Sequence, residues 1–365
     1  MAQTQLDEAV EKGKARETEY EGEGYLRLAD DFRDLPRGTA VFSDATIYGY
    51  PHIGRLLALE PGLDEHFEAP FWVEEKVDGY NVRIFRHGDQ IYGLSRGGFV
   101  CPFTTDRAPD FIDPQLFEDH PDLVVCAEVA GPGNPYLESS PPYVTEDVQF
   151  LVFDLMRFGQ SGFLPQPEKA DIVERYGLPS VQRFGRYSAE DRDALHGILL
   201  TLNEQGCEGV VFKEDSERDR RAKYVTGNSN ISDIGATAHN ILDLPPEYFT
   251  NRILRLVLFS NELGVARTGE LDRRLGAAFL DGLSGAVEQY RREQRVYRTF
   301  TCRFRQQANA ERLMRHLKAS SSHQIQISQR DLHREDNYWV LTFERIYPGM
   351  NGLLGHLLGG GLVFD

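Results

Sequence analysis

The sequence predicts an α+β protein built mainly from antiparallel sheets. Residues 71–235 contain many short segments of alternating apolar and polar side chains, separated by Gly, Pro and Asp. Too few helical segments lie between them to form βαβ units, so parallel sheets are not expected. After about residue 236 the apolar spacing becomes helical. A length of 365 residues further suggests two or three domains.

The elements follow in chain order. Residues 22–70 show strand-like pieces with turn residues between them, and residues 189–205 predict a helix. The predicted strands of the central region are FWVEEK (71–76), NVRIFRHG (81–88), QIYGLSR (90–96), DLVVCAEVAG (122–131), VQFLVFDLM (148–156), EGVVFKE (208–214) and AKYVT (222–226).

Two helices are predicted at 246–263 and 270–293, and they carry more apolar surface than one internal face needs. We therefore expect a C2 dimer through them, with a well-covered internal helix as the alternative. The remaining residues predict a strand, a helix and two strands, at 299–305, 309–320, 323–328 and 337–347. The predicted units are an N-terminal module, a central domain, a helical dimerisation domain and a small C-terminal α/β domain, at 1–70, 71–235, 236–295 and 296–365.

Composition excludes several classes of protein. The four cysteines are isolated in the sequence, so neither a disulfide scaffold nor a CxxC motif is present. No apolar run predicts a membrane span or a signal peptide, and a cytoplasmic protein is expected. The net charge is −17, and only seven of the 40 cations are lysines. A lysine inside a motif is therefore informative, because arginine cannot serve where the proton must be lost.

The charge is also unevenly distributed. Residues 251–318 hold 14 cationic and 7 anionic side chains, in contrast to the acidic remainder. Four arginines cluster there: Arg291, Arg292, Arg295 and Arg298. We expect this cluster to contact phosphates of a nucleic acid, with a solvated helix surface as the alternative. Otherwise the nucleic acid must bind a groove around Arg83, Arg96 and residues 218–223.

The central chemical motif is Lys76-Val77-Asp78-Gly79, within VEEKVDGYNVRIF. A strand enters this loop and another leaves it, so the lysine is presented at a strand end. Lys76 could act as a nucleophile once it is deprotonated. A surface lysine in a hairpin is the alternative, because the four-residue motif alone is weak.

Further motifs follow in one order: SRGG (95–98), AEVAG (127–131), FLVFD (150–154), EGVVFK (208–213) and AKY (222–224). This series resembles the covalent nucleotidyltransferase superfamily of polynucleotide ligases and mRNA capping enzymes, whose core is an antiparallel-sheet, ATP-grasp-like fold. The chain is most similar to the homodimeric archaeal-type ATP-dependent RNA ligases. EEKVDGYNVRI (74–84), GTAVFSDATIYGYPHIGRLLALE (38–60) and AKYVT (222–226) carry that likeness.

The resemblance implies a role for each motif. Lys76 would attack the α-phosphate of ATP and hold AMP, with Lys213 and Lys223 as catalytic cations. The nucleotide would be bound by Glu75, Lys76, Asn81, Arg96, Glu128, Phe153, Lys213 and Lys223. Glu208 resembles a metal-site carboxylate for Mg²⁺, with Mn²⁺ as a substitute, and Asp154 is a second candidate ligand.

The expected reaction joins an RNA 5′-phosphate to a 3′-hydroxyl, including circularisation, on single-stranded ends. Two alternatives remain open from the sequence. One is a DNA-end adenylyltransferase or DNA ligase. The other is a nucleic-acid end-binding protein that has lost catalysis, against which the intact Lys76, Glu128, Glu208 and Lys223 argue.

Overall fold

The structure is a computed structural model that describes residues 3–320 and 325–363. The first two residues of the strand predicted at 323–328 lie outside the described residues. The N-terminal part comprises α1 (Gln3–Glu11), β1 (Ala15–Tyr20), β2 (Glu23–Leu28), β3 (Ala40–Val41), β4 (Thr46–Ile47), β5 (Gly54–Arg55) and α2 (Leu59–His66). Strands β1 to β4 form one antiparallel sheet.

The central region consists of two sheets that face each other across the site. Its elements are β6 (Phe71–Lys76), β7 (Tyr80–His87), β8 (Gln90–Ser95), α3 (Pro102–Arg107), α4 (Gln115–Asp119), β9 (Leu123–Ala130), β10 (Gln149–Arg157), α5 (Gln166–Arg175), β11 (Arg183–Tyr187), α6 (Arg192–Gln205), β12 (Gly209–Glu214), β13 (Arg221–Val225) and α7 (Gly227–Thr237). One sheet has the order β10-β9-β7-β8 and the other β11-β6-β12-β13-β5. All pairs in them are antiparallel except β13 with β5.

Two long helices and a small α/β unit complete the chain. The helices are α8 (Glu247–Glu262) and α9 (Gly269–Glu293). The unit comprises β14 (Tyr297–Phe304), α10 (Gln307–Ser320), β15 (Gln326–Glu335), β16 (Tyr338–Ile346) and α11 (Pro348–Leu358). Its sheet has the order β14-β16-β15. No helix in the described ranges is long and apolar enough to cross a bilayer.

The C-terminal unit shares a core with the central sheets. Strand β9 is buried along almost its whole length, because it packs on both faces. Phe304 of β14 stacks edge-on against Phe103 of α3, and both side chains are fully buried in the largest apolar cluster. Burying one such aromatic side chain contributes about 1.5–3 kcal/mol. The predicted boundary at residues 295–296 therefore separates segments that fold against each other.

The α+β prediction is confirmed, although several helices of the central region, among them α3, α4 and α5, were not predicted. The prediction of a strand-like piece at residues 53–67 is also wrong, because only Gly54 and Arg55 pair as a strand, and α2 follows. The amides of Leu59 and Glu60 donate to the carboxylate of Glu262 at 2.6 and 3.0 Å. A carboxylate at a helix N-terminus satisfies otherwise unpaired N–H groups. Because this cap comes from α8, the local sequence does not reveal it.

Candidate active site

Strand register brings Lys76 and Glu208 together. Lys76 is the last residue of β6 and pairs with Gly209, the first residue of β12. Gly209 has φ +153°, and a Cβ there would lie 2.1 Å from the carbonyl oxygen of Tyr224. Only glycine fits this position. The Lys76 ammonium donates to Glu208 Oε2 at 2.6 Å, and the two side chains are only 21% and 15% exposed.

The facing sheet contributes Asn81 and Glu128, which oppose each other on β7 and β9. A Cβ on Gly79 would lie 2.7 Å from Glu128 Cγ, so glycine allows the loop after Lys76 to pack against β9. Among the residues that the structure describes, the buried Asn81 Oδ1 has no hydrogen-bond donor. A buried acceptor without a donor is costly, so this atom is suited to bind a ligand.

A cavity of about 480 Å³ lies between the two sheets. All eight residues predicted to bind the nucleotide line it, namely Glu75, Lys76, Asn81, Arg96, Glu128, Phe153, Lys213 and Lys223. Glu208 adjoins it through its ion pair with Lys76. The sequence therefore predicted which residues share one site, and their individual roles stay predictions.

Lysine and glutamate side chains of opposite charge lie close together in the cavity, where they are shielded from solvent. Burial opposes charging of Lys76, but attraction to Glu208 and Glu128 outweighs it and raises the pKa of this lysine. Burial raises the pKa of Glu128 to about 8 despite its attraction to Lys76. Burial, with repulsion from Lys76, lowers the pKa of Lys223 to about 8. The free site therefore holds Lys76 as an ammonium.

Lys213 belongs to a buried charge network behind Phe153. Its ammonium donates to Glu74 at 2.6 Å, to the Phe153 carbonyl oxygen at 2.7 Å and to Asp154 at 3.0 Å. Lys169 of α5 donates to the same Glu74 carboxylate and the same carbonyl oxygen. The network fixes the backbone from which Phe153 enters the cavity.

The geometry does not support Asp154 as a metal ligand. Its side chain is fully buried and outside the cavity lining. One carboxylate oxygen accepts from Lys213, and the other accepts from Arg221 at 2.6 Å and from Tyr50 at 2.8 Å. Although burial opposes ionisation, Arg221 and Lys213 hold the pKa of Asp154 well below its usual range. Asp154 is therefore a buried ion-pair partner.

The predicted arginine cluster is not a free positive surface. Arg292 pairs with Glu293, Arg295 with Glu344 and Arg298 with Glu138. Arg298 also donates to the carbonyl oxygen of Ala236, so it joins the segment before α8 to β14. Arg291 is exposed on α9. Three of the four arginines are therefore paired within the described chain, and contact of the cluster with nucleic acid stays a prediction.

The alternative groove is also largely neutralised. Arg83 is fully buried and donates to the carbonyl oxygens of Tyr48, Gly38 and Ser95. Arg218 pairs with Glu68. Of that predicted set, Arg96 and Lys223 face the cavity.

Sequence reasoning missed several residues of the site. Glu74 and Lys169 complete the buried network, and Tyr143 donates to Glu75 at 2.9 Å. His316 of α10 lines the cavity, so the C-terminal unit contributes to its wall. Because lysines are scarce in this chain, Lys169 could have been singled out as a candidate site residue. No local sequence pattern indicated that His316 lies at the cavity.

The residues present fit a divalent cation shared with a bound triphosphate. Within residues 3–320 and 325–363, no group of three or more His, Cys, Asp or Glu side chains forms a cage of its own. Mg²⁺ usually takes one or two carboxylates and completes its shell with phosphates and water. Glu208 and Glu128, beside the unpaired amide oxygen of Asn81, provide such oxygens.

Comparison with known proteins agrees with this site. The RNA ligase family model matches residues 69–225, and the model of the ligase Pab1020 C-terminal region matches residues 236–361. An uncharacterised protein of Methanocaldococcus jannaschii is 28% identical, over 81% of this chain and 77% of its own.

Solved structures extend the likeness to the whole chain. A structure from Aquifex aeolicus, provisionally assigned as an ATP-dependent DNA ligase, is 56% identical over 100% of both chains, with a TM-score of 0.94. Two structures of an archaeal ATP-dependent RNA ligase are 30% and 31% identical, each with a TM-score of 0.88. They cover 100% and 99% of this chain, and 97% and 96% of their own. The chain therefore belongs to the archaeal-type ATP-dependent RNA ligase family, whose members use ATP and a divalent metal.

Proposed function

We propose that the protein joins RNA 5′-phosphate and 3′-hydroxyl ends through a covalent lysyl-AMP intermediate on Lys76. The observation that carries the proposal is the convergence of all eight predicted nucleotide-binding residues on one cavity around this lysine. The same convergence argues against a binding protein that has lost catalysis, because Lys76, Glu128, Glu208 and Lys223 remain in place around the cavity.

The chemistry follows from the charges in the cavity. Lys76 becomes a nucleophile once its ion pair with Glu208 opens and its proton leaves. The nitrogen then attacks the α-phosphorus of ATP, and pyrophosphate departs from the opposite side. Lys223 and Arg96 lie in the cavity wall, where they can neutralise phosphate charge. A divalent cation, proposed here as Mg²⁺, supplies further neutralisation of the triphosphate.

In the second and third steps the AMP moves to an RNA 5′-phosphate, and a 3′-hydroxyl then displaces it. Phe153 offers a ring face for the adenine, with Lys213 5.7 Å from the ring centroid. Glu128 can accept hydrogen bonds from ribose hydroxyls. Both roles rest on the family resemblance and on the positions of these side chains in the cavity.

A matched set of substrates tests the proposal. The protein is incubated with α-labelled ATP and Mg²⁺, and then with RNA or DNA of the same sequence carrying a 5′-phosphate and a 3′-hydroxyl. We expect labelled protein, then sealed or circularised RNA. DNA sealing at equal or higher efficiency would favour the second candidate, DNA ligation, which the likeness to the Aquifex aeolicus structure motivates. Competition with unlabelled GTP tests the expected preference for ATP.

The proposed metal role of Glu208 predicts a change in the Mg²⁺ titration. Glu208→Ala removes a carboxylate beside the reacting lysine, so we expect the half-saturating Mg²⁺ concentration for self-adenylylation to rise about 10-fold or more. Glu204→Ala is the control, because it removes the same charge from the exposed surface of α6. Identical titration curves for both variants would assign Glu208 to positioning Lys76 alone.

We also propose a homodimer through α8 and α9. Leu254 and Val257 on α8 are 51% and 49% exposed, and Leu280 on α9 is 65% exposed. We expect sedimentation of a species of twice the 41.5 kDa chain mass at micromolar concentration. Leu254→Glu with Leu280→Glu should shift it to monomer, whereas Val10→Glu on α1 should not. A wild-type monomer would contradict the proposal.

A further inference from the structure

Three half-buried cations beside the cavity lack any hydrogen-bond or ion-pair partner in the described chain. Arg55, Lys223 and Arg255 are each only partly exposed, and none donates to a carboxylate or carbonyl group. The neighbouring arginines of the same region are paired, as Arg252 is with Asp233 at 2.8 Å. The carboxylates of Glu208 and Asp233 attract these cations, but neither forms an ion pair with them in the described chain. Partly buried cations without a paired counter-ion favour the binding of an anion.

The fold brings these three side chains together from distant parts of the chain. Strand β5 pairs in parallel with β13, and the register sets Arg55 beside Lys223. Arg255 lies on α8 and lines the same small cleft as Arg55, together with Leu56 and Tyr224. Burial, with repulsion from Arg55, lowers the pKa of Arg255. Lys223 also lines the nucleotide cavity, so it connects that cavity to the arginine pair.

We propose that Arg55 and Arg255, adjoining Lys223, form a second phosphate-binding site next to Lys76. The inference rests on the proposed function, and it names where a phosphate other than the α-phosphate of ATP is held. Guanidinium groups bind phosphate oxygens through two parallel hydrogen bonds, which suits them to this ligand. Two sources supply the same chemistry. One is the 5′-phosphate end of the RNA, and the other is the leaving pyrophosphate of ATP.

Separate assays of each step distinguish the two sources. Arg55→Gln, Arg255→Gln and the double variant are compared with wild type in self-adenylylation, in AMP transfer from preformed enzyme-AMP to 5′-phosphorylated RNA, and in sealing of pre-adenylylated RNA. Arg16→Gln is the matched control, because it removes one exposed arginine of β1 whose side chain has no ion-pair partner in the described chain. Arg255→Lys should restore part of any loss, since it keeps the charge.

If the site holds the RNA end, the double variant should retain self-adenylylation and raise the KM for RNA in AMP transfer about 10- to 100-fold. If it holds pyrophosphate, the KM for ATP should rise and the later steps should match wild type. Wild-type behaviour of the double variant in all three steps would overturn the proposal.

A direct binding measurement keeps this test independent of catalysis. Fluorescence anisotropy compares a 5′-phosphorylated RNA oligonucleotide with its 5′-hydroxyl counterpart, and inorganic pyrophosphate competes in a third arm. Wild type should prefer the 5′-phosphate or bind pyrophosphate, and the double variant should lose that interaction while Arg16→Gln keeps it. If wild type fails to self-adenylylate but shows this binding, the proposed catalysis fails and the phosphate site stands. Absence of both kinds of binding in wild type refutes the site.

Discussion

Lys76→Arg should lower self-adenylylation by roughly 10³-fold or more, to the limit of detection. The variant keeps a positive charge beside Glu208, so an ion pair with this carboxylate can still form. Arginine cannot replace the lysine as a nucleophile, because its guanidinium does not lose a proton near neutral pH. Gel detection of α-labelled ATP, followed by peptide mapping, measures the result. Label on another lysine, or in the variant, would contradict the assignment.

A pre-adenylated RNA separates the covalent step from sealing. With this substrate the transfer to Lys76 is bypassed, so Lys76→Ala should still join the strand to a 3′-hydroxyl. The variant thereby serves as its own folding control, because a misfolded protein fails in both assays. Failure in both would require a denaturation curve before Lys76 is named the nucleophile.

The sequence predicted the residues of the cavity better than it predicted which cations are free at the protein surface, and the reason is physical. Each of the eight predicted nucleotide-binding residues lies on a strand or directly beside a strand end, where the alternation of side chains is local. Glu75 and Lys76 could therefore be placed from β6 alone. Their convergence followed from the order of motifs and the family resemblance. The local sequence could not show that Asp154 forms ion pairs with Lys213 and Arg221, because those residues are 59 and 67 positions away in the chain.

The nucleic-acid contact of the arginine cluster stays a prediction, and its basis in sequence charge is weak. The net charge of a sequence segment does not show which residues from other segments pair with its side chains. Arg295 pairs with Glu344, and Arg298 pairs with Glu138. The position of Arg55 beside Lys223 could not be predicted from the sequence. The parallel pairing involves only two residues of β5, which is too short to show a strand pattern. A positive surface therefore has to be inferred from unpaired side chains rather than from sequence balance.

Asp154→Ala should destabilise the protein by about 3–5 kcal/mol. The substitution leaves Lys213 and Arg221 buried without the carboxylate that faces both of them at 3.0 and 2.6 Å. Removing one member of a buried ion network costs more than its pairing is worth, because the remaining charges cannot return to water. Urea denaturation measures the loss. Asp215→Ala is the control, since its pair with Arg186 is 39–47% exposed and should contribute at most about 1 kcal/mol.

The same network predicts how this loss depends on pH. The two cations hold the pKa of Asp154 below its unfolded value of about 3.9, so its stabilisation is fully present above pH 4 or so. As the pH falls below that value toward the depressed folded pKa, the unfolded state takes up the proton first and the stabilisation declines. The difference in unfolding free energy between wild type and Asp154→Ala should therefore be constant from about pH 5 to 7 and shrink at lower pH. A loss no larger than that of Asp215→Ala at pH 7 would show that Glu74 compensates Lys213, and Asp219 compensates Arg221, without Asp154.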